Sequence, residues 1–63
     1  MRYYLVKENF DNGMDKKKHF KGEKLNYKGS TVVNSDGEIV FHVNSDNYIN
    51  RGVEVLNGKE IKE

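Results

Sequence analysis

Histidine and serine are the side chains of this sequence that could support nucleophilic chemistry, since it contains no cysteine. Ser30 and His42 would face each other across a predicted hairpin, as a nucleophile and its general base do. A cross-strand hydrogen bond on a solvated face explains the same pair more simply. A β domain of 63 residues also lacks the deep cleft that such chemistry requires. The sequence therefore predicts a protein that is not an enzyme.

Oxygen-bearing side chains are concentrated in two turns, neither of which has the complete pattern of a calcium site. The first turn carries Asn34, Asp36 and Glu38. With Gly37 as the sixth residue of a calcium loop, the two positions that need acidic ligands fall on Val32 and Val43. The second turn, residues 11–15, has no distant glutamate in register. Turn formation accounts for both, so we expect neither a metal ion nor a cofactor.

A basic cluster favours nucleic acid as a partner. Its members are Lys16, Lys17, Lys18, Lys24 and Lys28. Lysines neutralise phosphate, and the interleaved rings of Phe20 and Tyr27 could stack on bases. Residues 1–31 hold eight Lys/Arg against four Asp/Glu and residues 32–63 hold three against six, but the net charge is +1. Such a cluster is usually a solvated loop, so nucleic-acid binding through it is the alternative function.

Aromatic side chains exceed what a core of this size can bury completely, which favours a protein partner. The surplus consists of Tyr3, Tyr4, Phe10 and Tyr48. Tyrosine is common at interfaces, where its ring is buried and its hydroxyl still finds a partner, although these rings could instead close the two ends of a barrel. Leu5 and Val6 point to opposite faces of one strand, so one face is a contact surface or the seam of a homodimer. We therefore predict a protein partner, with the basic cluster steering the chain to an acidic surface.

The strongest structural signal is a hairpin within residues 30–44. Its second strand alternates apolar with polar residues, which predicts one face in a core. The inward side chains would be Ile39, Phe41 and Val43. The β-branched residues 31–33 predict the partner strand.

The turn of this hairpin determines its register. A three-residue loop at residues 35–37, with its glycine in the left-handed region, sets Val33 opposite Ile39 and Thr31 opposite Phe41. A two-residue loop would place an asparagine opposite Ile39 instead. The three-residue loop buries more apolar surface, so we predict that register.

The first third of the chain contains a strand and a loop. Residues 2–8 predict a strand that is apolar on both faces. Residues 14–22 predict a long loop anchored by Met14 and Phe20, although one helical turn capped by Asp15 would also fit.

Three further segments complete the predicted elements. Residues 23–28 and 53–56 read as strands, and residues 45–50 as one tight turn of helix or 3₁₀ helix. The inward side chains of these segments would be Leu25, Tyr27, Tyr48, Ile49, Val53 and Val55. Residues 57–58 form a turn, followed by a short or frayed partner strand at residues 59–62.

The order of these elements resembles an SH3-like barrel over residues 20–56. The likeness is carried by Phe20-Lys21-Gly22-Glu23-Lys24-Leu25, similar to the entry of that family's second strand, and by Ser45-Asp46-Asn47-Tyr48-Ile49, similar to the turn before its last strand. The resemblance implies an all-β fold: a small five-stranded barrel with a long first loop and a helical turn before the last strand. The chain has no tryptophan, so the peptide-binding groove of many members is not expected.

Length and composition set the remaining expectations. Residues 1–63 form one small β domain. No apolar run approaches a membrane span, and no signal peptide is evident, so we expect a cytoplasmic protein. A composition rich in Lys, Asn, Asp, Tyr and Ile and free of proline resembles the short accessory proteins of phages and mobile elements. That resemblance implies a non-enzymatic protein that binds and blocks a host protein, including components of antiviral defence.

Overall fold

The computed structural model describes residues 1–61, which form six antiparallel strands and one helix. The elements are β1 (Arg2–Val6), β2 (Lys24–Lys28), β3 (Thr31–Val33), β4 (Ile39–His42), α1 (Asp46–Arg51), β5 (Gly52–Leu56) and β6 (Lys59–Ile61). The strands lie in the order β4-β3-β2-β1-β5-β6 in one sheet. The mainly β class is confirmed. The strand count is six rather than five, and no ladder joins β4 to β6 within the described residues.

The β3–β4 hairpin has the predicted turn and half of the predicted register. Val33 lies opposite Ile39, and the glycine that ends the loop has φ +83°. Beyond that pair the register shifts by one residue, so that Phe41 lies opposite Val32 rather than Thr31. The extra residue in β4 is Val40, as in a β-bulge.

This bulge also changes which side chains of β4 reach the core. Val40 and Phe41 are both buried, whereas Ile39 is 42% exposed. The prediction that Ile39 faces inward is therefore wrong, because strict alternation breaks where an extra residue enters the strand. Val43 packs against the core as predicted.

The core lies on one face of the sheet, under α1. Its buried residues are Tyr4, Val6, Phe10, Leu25, Val32, Val40, Phe41 and Tyr48, with Tyr27 and Val43 packed against them. The ring of Tyr4 lies 5.1 Å from those of both Phe41 and Tyr48, centroid to centroid. These offset and edge-on contacts make the aromatic side chains the main filling of the core.

The turn before β5 is a short α-helix, α1. The Ser45 hydroxyl caps it by accepting a hydrogen bond from the Tyr48 backbone N–H at 3.2 Å. Tyr48 is buried as predicted, but Ile49 is 55% exposed and does not contact the core as we expected. One turn of helix turns a single face inward, and Tyr48 occupies it.

Strand β5 presents its valines to the face opposite the core. Val53 pairs with Leu5 and Val55 with Tyr3, while Tyr4, which is in the core, pairs with Glu54. Paired residues share a face, so both valines lie on the face away from Tyr4. Val53 is partly exposed there, against the prediction, whereas Val55 is only 2% exposed and is buried as predicted.

The last hairpin follows the predicted turn. Asn57 and Gly58 both have positive φ, and Leu56 pairs with Lys59, which is the geometry of a two-residue type I′ turn. The predicted short partner strand is present as β6, and its residue 62 lies outside the described residues. Within residues 1–61 no helix has the length and apolar character needed to cross a membrane.

Candidate partner-binding surface

The segment between β1 and β2 is a long loop, as predicted, and we call residues 7–23 the Phe20 loop. An isolated bridge closes it, in which the backbone N–H groups of Phe10 and His19 donate to each other's carbonyl at 3.0 and 2.8 Å. The anchors differ from the prediction. Phe10 and His19 are buried, whereas Met14 and Phe20 are each 58% exposed.

His19 is held between two carboxylates inside this loop. Its Nε2 lies 2.7 Å from Asp15 Oδ2, and its Nδ1 lies 2.7 Å from Glu23 Oε2. The Asp15 side chain is fully buried, and that of Glu23 is 36% exposed. An imidazolium can donate from both ring nitrogens at once, so the arrangement favours charged His19.

The pKa values of this cluster move in the directions that stabilise the charged forms. Burial acts to lower the pKa of His19, but the hydrogen bonds to Glu23 and Asp15 outweigh it and raise that pKa above its ordinary value. Burial likewise acts to raise the pKa of Asp15, and the bonds from Asn34 and His19 outweigh it and lower that pKa. The ion pair therefore persists across the middle of the pH range.

Asn34 joins the Phe20 loop to the β3–β4 turn. Its Nδ2 donates to Asp15 Oδ2 at 2.9 Å and to Glu38 Oε1 at 3.1 Å. Its Oδ1 accepts the backbone N–H groups of Asp36 and Glu38. The side-chain amide of Asn34 thus forms hydrogen bonds within the turn at residues 34–38 and to the Phe20 loop.

Lys17 makes the second link between the same two segments. Its Nζ lies 2.7 Å from Asp36 Oδ2 and 2.8 Å from Glu38 Oε1. Hydrogen bonds to these carboxylates raise the pKa of Lys17, and its ammonium lowers the pKa of Glu38. Lys17, a member of the predicted basic cluster, therefore forms ion pairs within the chain.

The Phe20 side chain projects from the Phe20 loop into solvent. Its backbone N–H donates to Glu23 Oε1 at 3.3 Å, and the Lys21 N–H donates to Asn9 Oδ1 at 2.7 Å. An open pocket of about 220 Å³ adjoins the ring. The pocket is lined by Asn9, Phe10, Asp11, Lys18, His19 and Phe20. Exposed Lys16, Lys18 and Lys21 belong to the same loop, which combines an apolar ring with positive charge.

Most of the aromatic anchors predicted from the sequence lie inside the molecule. Tyr4, Phe10 and Tyr48 are buried in the core, so their rings do not lie on the surface, where we expected anchors for a partner. The Tyr4 hydroxyl donates to the Tyr48 carbonyl at 2.9 Å, and burial raises the pKa of Tyr4 well above its ordinary value. Tyr3, by contrast, is partly exposed on the face away from the core.

Two further lysines of the predicted cluster lie on β2. Lys24 and Lys28 are exposed, and Lys24 Nζ lies 5.0 Å from the centroid of the Tyr3 ring. Lys16, Lys18 and Lys21, by contrast, lie on the Phe20 loop. The basic residues therefore form two groups, one on the loop and one on the strand, of which the loop group accompanies the exposed ring.

The residues considered for catalysis are not brought together. His42 lies opposite Thr31, whose Oγ1 is 3.5 Å from His42 Nδ1, rather than opposite Ser30 as expected. The register shift in β4 moves His42 by one position. Residues 1–61 contain no group of three or more His, Cys, Asp or Glu side chains that could hold a metal ion.

A second surface lies on the outer face of β1 and β5, and we call it the outer patch. It consists of Tyr3, Leu5, Val53 and Val55, which form two directly opposed pairs. Tyr3, Leu5 and Val53 are partly exposed, whereas Val55 is buried beneath them without belonging to the core cluster. Sequence reasoning indicated an apolar face of β1 at this place but not the contribution of β5, whose valines it assigned to the core.

The three residues of the His19 cluster were missed from the sequence. Asp15 precedes His19 by four residues, and Glu23 follows it by four. This equal spacing of two acidic residues around a histidine is the sequence signal that could have indicated the cluster. That spacing normally indicates a helix, whereas here a loop folds around the histidine. Comparison of the chain with protein families, curated proteins and solved structures found no match.

Proposed function

We propose that this protein is a non-enzymatic binding protein that uses the Phe20 loop to cover an acidic surface of a protein partner. The observation that carries the proposal is the exposed Phe20 ring on a loop that buried polar contacts hold in one conformation. The Phe20 side chain is 58% exposed, and burying its ring against a partner would remove apolar surface from water, which is favourable. Aromatic anchors of this kind supply much of the binding energy at interfaces.

Preorganisation of the loop supports the same proposal. The His19 cluster, Asn34 and Lys17 tie the loop to itself and to the β3–β4 turn. Binding through a loop that is already ordered loses less conformational entropy than binding through a mobile one. Because these contacts order the loop before binding, it is suited to presenting the Phe20 ring to a partner.

Charge determines the kind of partner. Lys16, Lys18 and Lys21 surround the ring along the chain and are exposed, while Lys17 is paired within the molecule. Positive charge at the rim of an interface accelerates association with an acidic surface. The partner is therefore a protein with an acidic patch around an apolar pocket.

The biological setting of the proposal comes from composition. The chain resembles short phage-type accessory proteins, and in that setting it would act in the host cytoplasm by blocking a host protein, including a component of antiviral defence. A curved six-stranded sheet closed towards an SH3-like barrel is the fold we propose for it. The long first loop and the helical turn before β5 support that assignment.

A capture experiment tests the proposal. The immobilised chain is incubated with host lysate, and the retained protein is compared between the parent, Phe20→Ala and the control Ile49→Ala. Both side chains are more than half exposed, so neither substitution should unfold the chain. Loss of an interface anchor costs about 2 kcal/mol or more, roughly a thirtyfold loss of affinity. Equal retention by Phe20→Ala and the parent would refute the proposal.

The second candidate function is nucleic-acid binding. The observation that favours it is the pair of exposed lysines Lys24 and Lys28, which share one face of β2 with Asn26. Phosphate contacts make affinity fall steeply with salt. Titration of fluorescent single- and double-stranded DNA and RNA at low and at physiological salt distinguishes the two functions. Absence of binding at low salt would eliminate this candidate.

A further inference from the structure

We propose that the outer patch is the seam of a homodimer, in which two copies of the chain pack this face together about a two-fold axis parallel to the strands. The proposal rests on the outer face of β1 and β5 and not on the Phe20 loop. The two proposals can therefore fail independently.

The apolar content of the patch is the first observation. Tyr3 pairs with Val55 and Leu5 with Val53, so the four side chains form one block in the middle of the sheet. Tyr3, Leu5 and Val53 are partly exposed and supply the surface of the patch, whereas Val55 is buried at its base. The core lies on the opposite face, with Tyr4, the residue between Tyr3 and Leu5, in its centre. A sheet with apolar side chains on both faces normally has a second layer on each. Within residues 1–61, α1 and the loops supply a layer on the core side through Tyr48, Phe10 and their neighbours.

The charges at the two borders of the patch indicate what the second layer is. Lys24 lies opposite Leu5 on the β2 side, and Glu60 lies opposite Val55 on the β6 side. Paired residues share a face, so both charges flank the patch on its outer surface. One border is therefore positive and the other negative.

A surface with this arrangement is complementary to a copy of itself. Rotation by 180° about an axis parallel to the strands lays the β2 border of one copy over the β6 border of the other. Lys24 is level with Leu5 and Glu60 is level with Tyr3, two residues along the strand. Lys24 of each copy therefore comes near Glu60 of its partner, within reach of the long lysine side chain, and the contact occurs twice, as in any isologous interface. An axis across the strands would place Lys24 over Lys24, which like-charge repulsion disfavours.

Glu60 also has a partner within its own chain. Lys7 Nζ lies 2.8 Å from Glu60 Oε2, and both side chains remain more than 40% exposed. An exposed carboxylate with one lysine partner has acceptor capacity for a second. In the dimer, Glu60 would lie between Lys7 of its own chain and Lys24 of the other copy.

Dimerisation would also offset the small size of the domain. A chain of 63 residues buries only about 60% of the surface of its unfolded form, and burial of a further apolar face adds to stability. A second copy is always present at the concentration of the first. The patch, its two borders and the size of the domain thus converge on a second copy as the occupant.

The test is a set of molar-mass measurements by size-exclusion chromatography with light scattering over a range of concentrations. We expect the parent to have twice the 7.3 kDa mass of the chain at high concentration. Leu5→Glu should weaken the dimer by at least about tenfold, since it places a charge in the apolar centre. The matched control is Ile49→Glu on α1, which should leave the dimer unchanged.

Charge reversal gives a test that does not depend on the apolar residues. Lys24→Glu and Glu60→Lys are both at exposed positions and should each yield monomers, because every intermolecular pair becomes a like-charge pair. An equimolar mixture of these two variants should form a heterodimer, since both pairs are again of opposite sign. Circular dichroism of each variant establishes that it is folded.

Three results would overturn the proposal. The first is a parent chain that stays monomeric at every concentration. The second is a dimer that Leu5→Glu leaves intact, which would place the seam elsewhere. The third is a mixture of the two charge-reversed variants that shows no more association than either variant alone, which would refute the axis and the pairing.

Discussion

Replacement of His19 with alanine removes the cation that holds the Phe20 loop together. The substitution eliminates two hydrogen bonds of 2.7 Å, one to Asp15 and one to Glu23, and the ring contact with Phe10, whose centroid lies 5.0 Å away. Its main consequence falls on Asp15, because that side chain is fully buried and would keep its negative charge without a countercharge.

The free-energy cost of His19→Ala depends on how exposed its two partners, Asp15 and Glu23, are to solvent. Breaking a buried ion pair by removing one member costs about 3–5 kcal/mol. Asp15 retains bonds from the Asn34 side chain and the Lys17 N–H, which argues for the lower end, about 3 kcal/mol. The pair with Glu23, which is 36% exposed, adds at most about 1 kcal/mol. Because small domains are stable by only about 5 kcal/mol or somewhat more, the loss is a large part of the total.

Urea unfolding followed by far-UV circular dichroism measures this loss, and its pH dependence identifies the cause. The raised pKa of His19 means that its stabilisation is complete below pH 6.5, the ordinary value, and is lost as the pH rises through the raised value. The lowered pKa of Asp15 means that its stabilisation is complete above pH 3.8 and is lost as the pH falls through the lowered value. The difference between the parent and His19→Ala should therefore be greatest between pH 3.8 and 6.5.

The other histidine provides the matched control. His42 is exposed, and its Nδ1 lies 3.5 Å from Thr31 Oγ1, so His42→Ala should change the free energy of unfolding by less than about 0.5 kcal/mol. A cost below about 1 kcal/mol for His19→Ala would contradict the buried ion pair. A cost that is the same at pH 5 and at pH 10 would show that packing, not charge, is responsible.

Three substitutions in the core and its cap have defined outcomes in the same unfolding assay. Gly52→Ala should destabilise the chain by about 3 kcal/mol or more, because its Cβ would clash with the Leu5 carbonyl oxygen and the Tyr4 ring; unchanged stability would contradict this close approach. Tyr4→Phe should cost about 1–2 kcal/mol, since it removes the buried 2.9 Å bond to the Tyr48 carbonyl; a neutral result would mean that the hydroxyl gains nothing over water. Ser45→Ala should cost about 1 kcal/mol through loss of the α1 cap, and Ser45→Thr should retain most of it; equal loss in both would argue against capping.

The strands and turns could be predicted because their signals are local. Alternation of apolar residues, β-branched segments and glycines at positive φ each act within a few residues. They correctly predicted the β3–β4 turn, the short last hairpin and the helical turn within residues 45–50. The β-bulge at Val40 has no equally clear local signal, because it depends on how the neighbouring strand and loop meet β4.

The candidate binding surfaces could be predicted far less well. The sequence shows an excess of aromatic residues but not which of them face solvent. Tyr4 and Tyr48 looked like interface residues and are core residues, while Phe20 looked like an anchor of the loop and is exposed. Each outcome depends on which face of an element meets the rest of the chain, and that is a property of packing rather than of composition.

The sequence by itself determined that the chain is mainly β and where its tight turns lie, because backbone preferences and hydrophobic period act over short distances. The tertiary structure decided which side chains are inside. Folding placed β5 beside β1 and closed the Phe20 loop around His19, so that Val53 and Val55 lie on the face opposite the core, and Asp15 and His19 are buried together. These arrangements join residues from 4 to more than 50 positions apart, and such contacts are settled only when the whole chain packs.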